Sequence, residues 1–343
     1  MESFSISVQK GEACFFRETK NNFSNGRICT TVSEGRALQQ ELLQTEITLE
    51  NTEIAVVIRP DLGARIDRLI DKRTGHDWIW HPPQYDSTQT RSINLGESFD
   101  RHWTGGWDEI FPNDAAGEFQ GRQLVDHGEF WSQAWKILEQ EESSLRLGLT
   151  CQTVPVKVEK TIRLKEAQVD LGYQFQNLSD EPISFLFKQH AAIAIEPGDE
   201  IILPDCDIEP VVLDFSRIIG QPGKTKFPTA IDKNGEVVHL NRTPERSSEL
   251  QEFYYSSGLA IGQCGVRNPR SRSTLKMNFN LIDFPYVWMF QSYGGWNDHY
   301  VLVMEPCTTM PYDLEIAERN GTIATLEPFQ IQYRQLKVNL DRE

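Results

Sequence analysis

Val154-Pro155-Val156-Lys157-Val158-Glu159-Lys160-Thr161-Ile162-Arg163-Leu164 alternates apolar and polar residues at period two. That is the spacing of side chains on one face of a β-strand, so the segment reads as a strand with one face buried. The pattern recurs in Leu171–Asn177 and Ile183–Phe187, across the turn residues Ser179-Asp180-Glu181-Pro182. Upstream, the short apolar run Ile54–Ile58 is followed by Arg59-Pro60. Downstream, Lys276–Phe290, Tyr300–Glu305 and Glu327–Leu340 read as further strands, with Gly294-Gly295-Trp296-Asn297-Asp298 between the first two. The one helix-like stretch is Arg36–Leu43 (RALQQELL). Many short strands without alternating helices predict a mainly β chain of antiparallel sheets packed as a sandwich, with few helices. Residues 1–45 are expected to be an N-terminal extension packed on the main domain, and 46–343 a single β-sandwich domain. Gly220–Asn241, rich in Gly, Pro and Lys, reads as an excursion loop on that domain.

The 343 residues include 34 basic and 50 acidic ones, a formal net charge of −16. Such a surface repels nucleic acid and anionic membrane, so neither is expected as a partner. Met1-Glu2-Ser3-Phe4-Ser5-Ile6 lacks the features of a signal peptide, and no window reads as a membrane span. The six cysteines are scattered, with neither a CxxC pair nor the Cys/His spacing of a zinc site. Reduced thiols in the cytoplasm, and no metal, are the expectation. Phosphate-binding glycine loops, GxSxG and HExxH are absent, which disfavours nucleotide enzymes, serine hydrolases and zincins.

Chemistry concentrates in Gly105-Gly106-Trp107-Asp108-Glu109-Ile110-Phe111-Pro112-Asn113 and Asp126-His127-Gly128-Glu129-Phe130-Trp131. Flat aromatics beside His and carboxylates suit a polyhydroxylated ligand, whose C–H faces stack on Trp and whose hydroxyls bond polar groups. Core tryptophans and a Gly-Gly turn are the plainer account of the same residues. Asp108 and Glu109 would point to opposite faces of an extended strand and so cannot act as a carboxylate pair.

His190 follows Phe185-Leu186-Phe187-Lys188-Gln189 at a strand end, placed to line a pocket and exchange a proton near neutral pH, or to sit hydrogen-bonded in the core. Glu305 closes the apolar run Tyr300–Met304, where a carboxylate is costly unless paired or functional, and burial there would raise its pKa. His127 could orient a substrate hydroxyl. Asp283, before Phe284-Pro285, could accept from sugar hydroxyls or make a turn. His76, His81, His239 and His299 read as surface residues.

Together, Gly-Gly-x-x-x-x-Phe-Pro (105–112), His127-Gly128 with Trp135 downstream, His190 and Glu305-Pro306 resemble the aldose 1-epimerase (galactose mutarotase-like) superfamily. What the resemblance implies is a β-supersandwich with a concave sugar site, no cofactor and a small-molecule sugar as partner. Glu305 would match the general base that takes the anomeric hydroxyl proton, and His190 the acid that protonates the ring oxygen. His127 would match the histidine holding substrate hydroxyls, with Arg101 as the substrate arginine and Asp283 or Glu252 as the recognition acid; Trp107, from the aromatic cluster itself, is a further expected substrate contact. The phosphate-binding branch carries arginines where this chain has Thr104 and Glu129-Phe130-Trp131, so a neutral aldose is the expected substrate. A carbohydrate-binding protein without catalysis on the same fold is the alternative. Lys224 and Lys226 are open as residues that fold over the site.

Overall fold

The period-two segment forms the strand Val156–Lys165, with Val156, Val158, Ile162 and Leu164 buried and their neighbours facing out. It pairs residue for residue with Gln168–Asn177 in an antiparallel hairpin. The structure is a computed structural model that describes residues 5–9, 12–16, 46–88 and 93–342. The chain divides into units 1–45 and 46–343. In the first, Ser5–Gln9 and Glu12–Phe16 pair as antiparallel strands. The helix expected over Arg36–Leu43, and the packing of this extension on the main domain, lie outside the described residues.

The second unit is built from two large antiparallel sheets. One has eight strands, with Val156–Lys165 and Gln168–Asn177 near its middle beside Ile331–Arg342. The other has eleven, and its centre runs Leu250–Ser257, Tyr286–Tyr293, Tyr300–Cys307, Lys188–Ile193, Trp107–Ile110, Arg65–Asp71. The inward residues of both meet in one core, where Phe175 of the smaller sheet lies 4.9 Å from Phe187 and 5.3 Å from Phe111. Gly220–Asn241 carries a short hairpin, Thr229–Ile231 with Val237–His239.

The central strands of the larger sheet depart from simple alternation. Every residue of Trp107–Ile110, Lys188–Ile193 and Tyr300–Cys307 is buried. Burial of both faces means that a second layer covers the side turned away from the core. That layer includes Trp80 and Trp103, packed on Ala192, Val301 and Val303 beside Phe290 of the sheet itself. Polar residues on the covered face are therefore shielded from water, and the candidate site lies among them.

Candidate functional site

Residues directly opposite on antiparallel strands share a face, and the register places five of them in one row. Glu305 pairs with Trp288. The pairs Lys188–Cys307 and Ala191–Met304 bring His190 opposite Glu305. On its other side His190 pairs with Asp108, and the pair Ile66–Trp107 sets Arg65 beside Asp108. The row therefore reads Arg65, Asp108, His190, Glu305, Trp288. His190 Nε2 lies 3.6 Å from Glu305 Oε1. Lys188, two residues before His190 and so on the same face, donates to Glu305 Oε2 at 2.8 Å and pairs with Asp114 Oδ1 at 2.8 Å. Its ammonium also sits 4.5 Å from the centre of the Trp288 ring.

The network continues into the covering loops. His127 Nε2 is 3.7 Å from Asp114, and its Nδ1 bonds Asp126 at 2.8 Å. Asp126 in turn accepts the Phe99 N–H at 2.9 Å, and the Phe99 ring stacks on His127 at 4.3 Å and meets His190 edge-on at 5.0 Å. Trp103 stands edge-on to His190 at 5.5 Å and joins Trp80, Trp296 and His299 in an aromatic wall.

Two glycines make this possible. A Cβ on Gly128 would fall 2.0 Å from the Phe111 carbonyl oxygen, so only glycine lets the chain pass there with φ +63°. That passage holds His127 over Phe99. A Cβ on Gly106 would strike the Arg65 side chain at 2.4 Å. Arg65 is thereby buried, donating to Thr104 Oγ1, the Gly105 carbonyl, Asp67 and Tyr85.

Burial pushes the Glu305 carboxyl up to about 7, against the pull of Lys188. Burial likewise pushes Asp108 up to about 7, opposed by Arg65. Burial, then the Lys188 ammonium, then His127 hold His190 well below its usual value, so its imidazole is neutral in the free site. Burial alone would lower His127 too, but Asp114 and Asp126 outweigh it and raise its pKa. Lys188 is raised because Asp114 and Glu305 outweigh its burial, so it stays charged and is no nucleophile. Three buried polar atoms here, His190 Nδ1, Trp103 Nε1 and Trp288 Nε1, have no hydrogen-bond partner among the described residues. Such orphans are rare in a finished core and mark a place for a polar ligand.

Of the residues expected from the sequence, the structure brings together Glu305, His190 and His127. Trp107 is a correction: it turns to the opposite face, fully buried, and donates to Gln189 Oε1 at 2.9 Å. Asp283 faces Arg334 at 3.6 Å, in no contact with the row. Glu252 is buried but accepts from Ser216, Ile218, Ile219 and Phe253, which makes it a loop anchor. Arg101 is exposed in the last turn of the short helix Phe99–His102, and the arginine in the row is Arg65. Lys224 and Lys226 pair with Glu209 and Asp207 at the sheet edge. His299, read as a surface residue, belongs to the aromatic wall, and His81 bonds the Thr104 and Asp67 carbonyls. Lys188 escaped the sequence reading, and Asp108 entered it only as a discarded partner of Glu109, although period two from His190 and from Trp107 would have assigned their faces. Asp114 had no such signal, because it lies in a loop.

Among the described residues no helix is long and apolar enough to cross a membrane, and no group of three His, Cys, Asp or Glu side chains is arranged to hold a metal ion. No family model matches the chain, and no curated protein does. Solved structures do. Slr1438 protein from Synechocystis sp. PCC 6803 aligns with TM-score 0.65 over 87% of this chain and 96% of that one, at 13% identity. A galactose mutarotase-like protein from Lactobacillus casei aligns with TM-score 0.61 over 86% and 100%, at 16% identity. A galactose mutarotase related enzyme from Lactobacillus acidophilus aligns with TM-score 0.60 over 86% and 97%, at 15% identity. The fold of this chain is the antiparallel β-sandwich of the galactose mutarotase-like proteins.

Proposed function

We propose that the protein is an aldose 1-epimerase that interconverts the anomers of a neutral aldose in the cytoplasm, without a cofactor. The observation that carries this reading is the Glu305–His190 pair, 3.6 Å apart and buried under an aromatic wall. Anomer exchange requires one group to take the proton of the anomeric hydroxyl and another to protonate the ring oxygen. Near neutral pH this pair holds one proton between its two members. Moving it from Glu305 to His190 yields a carboxylate base and an imidazolium acid. Glu305 then removes the O1 proton, His190 protonates the ring oxygen as the C1–O5 bond breaks, and rotation about C1–C2 precedes closure by the reverse steps. Lys188 favours the ionised carboxylate, and the orphaned indole N–H groups of Trp103 and Trp288 can donate to sugar oxygens.

The neutral-sugar reading rests on charge. Both cations of the row and its flank are already engaged, Lys188 with Asp114 and Glu305, and Arg65 with Asp67. A phosphate would meet Asp108 and Glu305 with no free guanidinium among them. One observation favours binding without catalysis: His190 is held neutral in the free site, a form that accepts or donates a hydrogen bond without delivering a proton.

Proton NMR of freshly dissolved α-anomers of glucose, galactose, mannose, xylose and rhamnose separates the two. The epimerase reading expects one sugar to equilibrate at a rate proportional to protein concentration. Saturable binding with unchanged equilibration would replace it with the binding-protein reading.

A further inference from the structure

Asp108 is only 4% exposed, yet among the described residues it makes no hydrogen bond and no ion pair. Removing a carboxylate from water without a partner costs several kcal/mol. The next residue, Glu109, meets the same demand fully, accepting from Lys160 and from the Tyr173 hydroxyl at 2.7 Å. Arg65 does not meet it by hydrogen bonding: its terminal nitrogens are bound to Thr104, Gly105, Asp67 and Tyr85, and its Nε has no partner among the described residues, so only its charge opposes the burial of Asp108. Asp108 therefore retains full capacity to accept a hydrogen bond, on the face of the sheet that carries His190 and Glu305. It pairs with His190 in register, so Asp108 and Glu305 flank that imidazole from the two adjoining strands. Their backbones are two strand spacings apart, about 9–10 Å. His190 stands between them on the same face, so a ligand hydrogen-bonded to that imidazole has a carboxylate on either side.

We propose that Asp108 is a specificity-determining residue of this site, accepting a hydrogen bond from one sugar hydroxyl on the side of the ring away from Glu305. The inference rests on the reading that the site takes an aldose. It goes further in assigning a second carboxylate to recognition rather than to proton transfer. The carboxyl is protonated in part near neutral pH, so hydroxyl binding by its charged form strengthens as pH rises through 7. A charge-assisted hydrogen bond of this kind discriminates by about 10- to 100-fold between a sugar and its deoxy analogue.

The test is a cycle between Asp108→Ala and the set of monodeoxy analogues of whichever sugar the wild type handles best. Exchange NMR gives kcat/KM, and quenching of tryptophan fluorescence gives Kd. The expected result is that one analogue alone loses about 10- to 100-fold with the wild type, while Asp108→Ala loses a similar factor on the parent sugar and nothing further on that analogue. Asp108→Asn, which keeps a carbonyl acceptor, recovers part of the loss. An Asp108→Ala effect equal for the parent and every analogue, or no effect, overturns the inference. So does a wild type that distinguishes no analogue by more than twofold, a result that needs no variant to fold. If sugars bind without faster equilibration, the cycle is read in Kd, and the epimerase reading falls while Asp108 stands or falls on its own. If the wild type binds none of them, both readings are lost together.

Discussion

The strands Trp107–Ile110 and Lys188–Ile193 carry two buried charge clusters, one on each face, and the two are finished differently. On the core face, Glu109 is paired with Lys160 and accepts from Tyr173, Lys160 also donates to the Ala64 carbonyl, and Trp107 and Tyr173 both donate to Gln189 Oε1. Every charge there is matched, and only the Gln189 amide nitrogen lacks a partner among the described residues. On the opposite face, Lys188 and Glu305 are paired, but Asp108 and His190 Nδ1 are not, nor are the indoles of Trp103 and Trp288. One residue of offset separates the two conditions. A matched cluster ties the sheets together, whereas an unmatched one costs stability until something arrives to complete it.

The comparison breaks first at Glu305. Glu305→Gln is expected to lower the rate of anomer interconversion by about 10²- to 10⁴-fold, the usual contribution of a general base. The variant should melt close to the wild type, and a rate within a few-fold of it would remove Glu305 from the chemistry. Lys160→Met tests the other face. Removing one partner of a buried pair leaves Glu109 uncompensated, so urea unfolding should show a loss of about 3–5 kcal/mol. The activity of the molecules that remain folded should not change. A Lys160→Met protein as stable as the wild type would mean that the core-face cluster does not hold the sheets.

Lys188→Met sharpens the contrast with a smaller effect. The wild-type rate should fall on the alkaline side, as the pair loses its one proton from Glu305 near pH 7. Without the ammonium the protonated carboxyl is favoured, so this limb should move to higher pH by about one unit. An unmoved limb would leave Lys188 a packing residue. The last effect concerns Asp108 and stability. Its folded-state carboxyl titrates near 7 but an unfolded one near 3.8, so the fold loses stability as pH rises from about 4 to 7. Asp108→Asn lacks this loss. Its melting point should exceed the wild type's by about 4–8 °C at pH 8, and the gap should close toward pH 4.

Much of the fold was legible, because a buried sheet face imposes period two on the residues that cover it. Val156–Lys165 and Gln168–Asn177 follow that rule directly. Trp107–Ile110 does not, since both of its faces are buried, and its alternation is between core and site rather than core and solvent. That is why Trp107 read as a ligand contact while Asp108 was weighed only as half of a carboxylate pair. Glu305, His190 and His127 could be found because each is a polar residue that packing does not explain. Lys188 and Asp114 are equally unusual once seen together, but they lie 74 residues apart and meet only through folding.

The sequence alone determined the β architecture, the acidic surface and the identity of the polar residues set into apolar strands, since these depend on composition and local period. Which polar residue faces which was decided by strand register, a relation between distant segments that no local pattern encodes. Register put Asp108, His190 and Glu305 in one row, while the packing of one sheet on the other gave Glu109 to Lys160, and a turn set Asp283 beside Arg334. The charge state of the row followed from the same step, because burial under Trp103 and its neighbours exists only in the folded chain.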